Sequence, residues 1–170
     1  MDLEEYLDTL PEYAKDLRLN LTSLLRDQNL TPQQLWGTIV ATGIASGNRA
    51  LSEILQSAAR EYLSTEIMNA ARAAAAIMGM NNIYFRFTHV ASHSAYASTS
   101  SKLRMNILRN HGTSALDFEL WSLAVSAING CSSCIDSHDK ILRESGASEE
   151  TILAAIRVAS VVHGLAIVEI

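Results

Sequence analysis

The chain has 170 residues and a mass of 18.5 kDa, a length that buries about 70% of the surface its unfolded form exposes, so one domain over residues 1–170 is expected without staples. Hydrophobic residues make up 48%, aromatics 6%, and there are 2 prolines, while Ala, Leu and Ile recur throughout; this favours an all-α fold over β architecture. A net charge of −5 and the absence of any basic run of five residues exclude the electrostatic footprint of a general nucleic-acid binder.

The start, Met1 to Glu5, is acidic and lacks the basic and apolar regions of a secretory signal. Helices are expected near 12–27, 32–45, 48–60 and 65–80, then near 102–109, 115–129, 131–145 and 149–168. Thr31 before Pro32 is an N-cap followed by proline at the first helical position. Residues 81–101, with Asn81, Asn82 and the run Ser98 to Ser101, read as a connection. Ser148 with Glu149 and Glu150 starts the last helix, and Gly146 stops the one before it. The longest apolar stretch, Val158 to Val168, is broken by Ser160 and His163 and is too short to span a bilayer. A cytoplasmic protein with no membrane partner is expected.

Shifting the sequence by 85 residues superposes Leu35 and Trp36 on Leu120 and Trp121 without a gap. Val40 then meets Val125, Ser52 Ser137, Ile67 Ile152, Ala70 Ala155, Arg72 Arg157 and Gly79 Gly164. A duplicated helical unit is expected, with a degenerate half at about 30–84 and a functional half at about 115–170. Opposite Glu119, Cys131, Cys134 and His138 the first half carries Gln34, Ser46, Arg49 and Glu53. What both halves share is explained by packing, and what only the second half carries is better explained by a site.

That site begins with the chain's 2 cysteines, Cys131 and Cys134, followed by His138. On a helix, positions i, i+3 and i+7 share a face, and Cβ atoms three apart lie within about 5–6 Å. This is close enough for a small relaxation to close a disulfide. Asn129 and Gly130 end one helix and place Cys131 at the N-terminus of the next, where unpaired N–H groups and the macrodipole favour a thiolate. His138, one turn after Cys134, is the proton acceptor. Glu119, on a helix apolar on nearly all sides, needs a partner, and pairing with His138 would orient the imidazole. The chemistry suggested is reversible thiol–disulfide exchange.

Each residue has a plainer reading. Glu119 fits a first-turn acid behind a Ser114 cap, His138 an exposed neighbour, and the cysteines small buried hydrophobes. Cys131, Cys134 and His138 also offer three zinc-type ligands, with Glu119, His89 or His93 as a fourth, but no second CxxC or HxxxH completes a zinc spacing. No metal is therefore assigned. His89 and His93 read as solvated, His111 as a turn residue, and His163 as a satisfied core residue. Two rival functions remain: a redox-sensing or binding module without turnover, and a zinc-binding structural protein.

From Phe118, Glu119, Leu120 and Trp121 through Ser126, Ala127, Ile128, Asn129, Gly130 and Cys131, the sequence resembles the alkyl hydroperoxide reductase D family, within the carboxymuconolactone decarboxylase-like group. The likeness extends upstream over Leu103, Arg104, Met105 and Asn106 and downstream over Cys134, His138 and Leu142. The resemblance implies an all-helical, duplicated bundle assembling as a homotrimer. It implies an antioxidant that reduces the disulfide of a partner peroxiredoxin, alkyl hydroperoxide reductase C, and weakly reduces organic hydroperoxides itself. Electrons would come from a dihydrolipoyl group on a 2-oxoacid dehydrogenase subunit, recycled by dihydrolipoamide dehydrogenase with NADH, and no cofactor would be tightly bound. The cysteine pair points away from the cofactor-free decarboxylase branch. Cys131 and Cys134 match the family's redox pair, and Glu119 and His138 its proton relay. Relatives usually carry histidine where this chain has Ser133, and a hydroxyl cannot carry positive charge near neutral pH. A less acidic thiol is expected, or a relay using Glu119 and His138 alone.

Overall fold

The structure, a computed structural model, describes residues 1–169; Ile170, the last residue of the expected second half, lies outside the described residues. Nine α-helices and two 3-10 turns are present among the described residues, with no strand. The helices are α1 (Leu3–Thr9), α2 (Lys15–Leu24), α3 (Pro32–Ala45), α4 (Arg49–Ala59), α5 (Thr65–Val90), α6 (Ala95–Ser98), α7 (Ala115–Ile128), α8 (Ser132–Glu144) and α9 (Glu149–Ile167). The all-α expectation holds.

Side-chain caps start most of these helices, each satisfying an amide that the helix leaves unpaired. Thr31 Oγ1 accepts from the Gln34 amide at 3.2 Å while Gln34 Oε1 accepts from the Thr31 amide at 3.0 Å, with Pro32 in the first turn. Ser64, Ser114 and Ser148 accept from the amides of Ile67, Asp117 and Thr151. Gly146, at φ 85°, turns the chain out of α8 in the left-handed region open to glycine.

The elements depart from the sequence reading in four places. Asp2 and Glu5 form a capping box that starts an unanticipated α1, whose Tyr6 and Leu7 enter the core. The stretch expected as one helix over 12–27 is a 3-10 turn at Glu12–Ala14 followed by α2. The helix expected to stop at residue 80 runs on to Val90. Asn81 and Asn82, local signals for a loop, are buried at 5% and 0% exposure, and tertiary partners of Asn82 outweigh its propensity. Residues 102–109 are not α-helical; Lys102 has φ 53° and only Asn106–Leu108 forms a 3-10 turn.

Helices α3 and α7 form the centre. Buried residues run unbroken from Leu35 to Gly43 on α3 and from Asp117 to Ser126 on α7, apart from Glu119. They approach so closely that a Cβ on Gly37 would overlap the indole of Trp121. The Trp121 indole N–H donates to the Gln34 carbonyl at 3.2 Å, and Asp117 accepts from Gln33 and Gln34 at 2.7 and 3.0 Å. Around this pair pack α4, α5, α8 and α9. Helix α9, at 19 residues and mean hydropathy 1.5, is long and apolar enough by length and composition to cross a membrane. The shorter stretch considered in the sequence understates it. Its Ile152, Ala155, Val158, Val162 and Leu165 are part of the core.

Candidate redox site

Helix α7 ends at Ile128, Asn129 caps it, and Gly130 at φ 65° reverses the chain into α8. The Cys131 amide still bonds back to the Ser126 carbonyl at 3.2 Å, while Cys131 itself is the N-cap of α8 and its carbonyl accepts from the Ile135 amide. Cys131 thus stands at the helix N-terminus, as its sequence context suggests. Cys134 and His138 follow at one-turn intervals. The two cysteines are joined in a disulfide with Cα atoms 5.3 Å apart.

The two sulfurs have different surroundings. Cys131 is 0% exposed, whereas Cys134, 7% exposed, borders a cavity of about 460 Å³. Ser133 lies between them in sequence, and its Oγ is 3.6 Å from Cys131 Sγ. With that sulfur in a disulfide, the hydroxyl is the group that donates. Ser133 is therefore a neighbour of Cys131 Sγ.

Glu119 sits in the second turn of α7, and Asp117 takes the first-turn place behind Ser114. Glu119 Oε2 is 2.6 Å from His138 Nδ1, with the two side chains 22% and 12% exposed. The other ring nitrogen, Nε2, is 3.3 Å from the sulfur of Met78 on α5. A carboxylate oxygen and a thioether sulfur are both acceptors, so both N–H groups of a doubly protonated ring find partners. That is the state a base reaches after taking a thiol proton. His138 and Cys134 border the same cavity, but the ring nitrogens are engaged by Glu119 and Met78 rather than by Cys134 Sγ.

Met78 carries no signal of its own in the sequence, and it links the site to a buried polar network. Ser126 Oγ and Asn82 Nδ2 lie 3.6 and 3.8 Å from its sulfur. Asn82 Nδ2 also donates to Ser126 Oγ, and Asn82 Oδ1 accepts from Asn129 Nδ2, both at 2.9 Å. Arg86 donates to the Asn129 carbonyl at 2.6 Å, holding the turn that leads into Cys131. The unexpected extension of α5 supplies Asn82 and Arg86, along with Asn81 and Phe85 on the cavity wall. An amide pair inside a run of helical residues was the available signal.

The positions opposite the site in the 85-residue register carry no comparable chemistry. Ser46 Oγ bonds back to the Thr42 carbonyl at 2.7 Å, and Arg49 forms an exposed ion pair with Glu53 at 2.9 Å. That carboxylate pushes the Arg49 guanidinium further up from its ordinary value by hydrogen bond and charge. Of the other histidines, His89 and His93 are exposed, and His93 packs edge-on to Tyr96. His111 accepts from the Thr113 amide in its turn and stacks on Phe118. His163 is not a satisfied core residue, because its buried Nδ1 has no partner. Among the described residues no group of three His, Cys, Asp or Glu side chains is placed to hold a metal ion.

Comparison with known proteins places the same region in context. Residues 95–169 match the carboxymuconolactone decarboxylase family. Over 166 residues the chain is 53% identical to alkyl hydroperoxide reductase AhpD of Acidobacterium capsulatum, covering 97% of this chain and 91% of that protein. It is 52% identical to the AhpD protein of Solibacter usitatus over 98% of this chain and 94% of the relative. The AhpD protein of Methylobacterium sp. is 54% identical, with 98% and 95% covered.

Proposed function

The chain belongs to the alkyl hydroperoxide reductase AhpD family, and from that premise we propose that it is an antioxidant dithiol–disulfide reductase working through Cys131 and Cys134. Its electron acceptors are the disulfide of a peroxiredoxin of the alkyl hydroperoxide reductase C type and, weakly, organic hydroperoxides. Its electron donor is a dihydrolipoyl group, recycled by dihydrolipoamide dehydrogenase with NADH. One observation carries this reading: a disulfide with one sulfur on a cavity wall and the other buried at a helix N-terminus, beside a paired carboxylate and imidazole.

The asymmetry assigns the two sulfurs different tasks. A lipoyl thiolate attacks Cys134 Sγ, the S–S bond breaks, and Cys131 leaves as a thiolate stabilised at the start of α8. The second lipoyl thiol then attacks the mixed disulfide, oxidising the lipoyl group and freeing Cys134. His138, held by Glu119, takes and returns the thiol protons. In the next half-cycle the Cys134 thiolate attacks the peroxiredoxin disulfide, and Cys131 resolves the adduct. The helix position of Cys131 favours it as the attacking group; access favours Cys134, and an attack needs access first.

Assembly as a homotrimer and location in the cytoplasm are part of the same reading. Exposed apolar side chains on the end of α5, with Ile83 at 64%, Phe87 at 56% and Val90 at 73%, support burial against a second copy. A solution mass about three times the 18.5 kDa chain tests the trimer. The chain is further read as one domain with a degenerate and a functional half; a single calorimetric unfolding transition tests that.

The deciding assay follows NADH consumption with dihydrolipoamide dehydrogenase, lipoamide and hydroperoxide, with and without peroxiredoxin. Turnover is expected, with the larger rate when peroxiredoxin is present. No turnover in either case defeats the enzyme reading and leaves a redox-sensing module. Cys131→Ser is expected to accumulate the mixed disulfide and Cys134→Ser is not; the reverse pattern would exchange the roles of the two sulfurs.

A further inference from the structure

Charge is spread unevenly along this chain. Of its 13 lysines and arginines, five fall within residues 67–116, where there is no Asp or Glu, so the rest of the chain carries eight cations against 18 acids. Three of the five, Lys102, Arg104 and Arg109, stand on the irregular segment that walls the redox cavity. Arg104 directly precedes Met105 and Arg109 directly follows Leu108, the two residues of this segment that border the cavity. Met105, Leu108 and Arg109 also line a second, adjoining depression. All three cations are exposed, and among the described residues none of them forms an ion pair. Glu119 is the one carboxylate bordering the cavity among the described residues, and it is already paired with His138. On α8, Asp139 is held by Arg143 and Asp136 is exposed, neither of them bordering the cavity. A cluster of unpaired cations concentrates anionic groups within about a Debye length, about 8 Å at physiological salt.

The cavity and its rim suit different chemistry. Cys134 is 7% exposed and lies on a wall made largely of Met78, Phe85, Met105, Leu108 and Ile141. A sulfur fixed in a folded surface does not reach it, whereas a sulfur at the end of a narrow apolar arm does. The polypeptide bearing that arm then stays outside, among the cations. We propose that residues 102–109 are the docking site for an acidic polypeptide that presents a dithiol on such an arm, with Lys102, Arg104 and Arg109 receiving its carboxylates. This deepens the dithiol reading above and rests on it, adding the electrostatic character of the electron donor. The exchange itself is unaltered: the arm's two thiols give up two electrons and two protons and close a disulfide, and the Cys131–Cys134 disulfide takes them up as two thiols. The cations touch no reacting atom; they raise the rate of encounter with an acidic donor. A net charge of −5 would by itself repel such a donor, so a preference for it reports the local patch.

The test follows reduction of the Cys131–Cys134 disulfide in the full chain by two synthetic dihydrolipoyl-lysine peptides of equal length, one flanked by Glu and one by Lys. Dihydrolipoamide is the neutral reference. At low salt the Glu-flanked peptide is expected to react about tenfold faster than the Lys-flanked one. The ratio is expected to approach one at about 1 M salt, where the Debye length is about 3 Å. Lys102→Gln, Arg104→Gln and Arg109→Gln together are expected to abolish that preference, while the rate with dihydrolipoamide stays within about twofold of wild type. Lys15→Gln, Arg26→Gln and Arg60→Gln together remove the same charge from residues that do not border the cavity, and are expected to keep the preference. A wild type with no preference, or one favouring the Lys-flanked peptide, overturns the proposal. So does a preference that survives the first triple variant or is lost in both. If the first triple variant does not fold, Arg104→Gln and Arg109→Gln singly should each lower the ratio by about two- to threefold, and unchanged ratios in both overturn the proposal. Failure of dihydrolipoamide to reduce the wild-type disulfide strikes the lipoyl-dependent function itself, and this proposal with it.

Discussion

Replacing Glu119 by Gln keeps the shape of the side chain and an acceptor oxygen for His138 Nδ1 but removes the charge. In the native site the 2.6 Å contact joins groups only 22% and 12% exposed, so solvent screens it less than a surface pair. A hydrogen bond to a charged group contributes about 1.5–3 kcal/mol and a neutral one about 0.5–1.5. The difference, about 1–1.5 kcal/mol, corresponds to roughly five- to tenfold in a rate that requires the protonated ring. Stability should fall by no more than about 1.5 kcal/mol because the ring keeps a hydrogen-bond partner. The assay is stopped-flow reduction of the Cys131–Cys134 disulfide by dihydrolipoamide, alongside urea unfolding of the same variant. A rate within twofold of wild type would refute the assignment of Glu119 as the residue that orients His138.

Met78→Leu conserves volume and should cost less than about 1.5 kcal/mol of stability. It removes the acceptor 3.3 Å from His138 Nε2, so reduction of the disulfide by dihydrolipoamide should slow by a few-fold; an unchanged rate would remove Met78 from the site. Gly37→Ala forces a methyl into the Trp121 indole and should destabilise by about 1–3 kcal/mol in urea unfolding. Gly79→Ala, with open space around its Cβ position, should instead stabilise by about 0.5–1 kcal/mol; equal effects at the two glycines would contradict the close α3–α7 approach. Ser133→His places a titratable cation where a hydroxyl now lies 3.6 Å from Cys131 Sγ. Thiolate absorbance of the reduced variant should titrate at lower pH than wild type, and equal titration curves would sink the charge argument for Ser133.

Much of this molecule is readable along the chain because the signals are local. A cap and its amide are three residues apart, as at Thr31 and Gln34 or Ser114 and Asp117. Cys134 and His138 share a helix face by spacing alone, with Cys131 capping that helix, and Gly130 and Gly146 mark helix ends by their left-handed backbone. Glu119 pairs with His138 on chemical grounds alone, because a carboxylate on an apolar helix needs a partner. The misreadings have the opposite character. Asn81 and Asn82 look like a loop until Ser126 and Asn129, more than forty residues away, accept one of them into a buried network. Residues 102–109 look helical, yet the chain crosses there as an irregular wall of the cavity, with Met105 and Leu108 facing it.

The sequence by itself determined the helical class, most helix starts and the four residues of the candidate site, since each depends on spacing within one or two helical turns or on a charge that must be neutralised. Only the tertiary structure decided how α5 lies over that site. That placement sets Met78 against His138, leaves Asn81 unpaired beside the cavity, and gives Cys134 the cavity wall while Cys131 is buried. The physical reason is that periodicity reports which face of a helix is apolar, whereas the atom that covers that face comes from another helix whose position depends on packing the whole core.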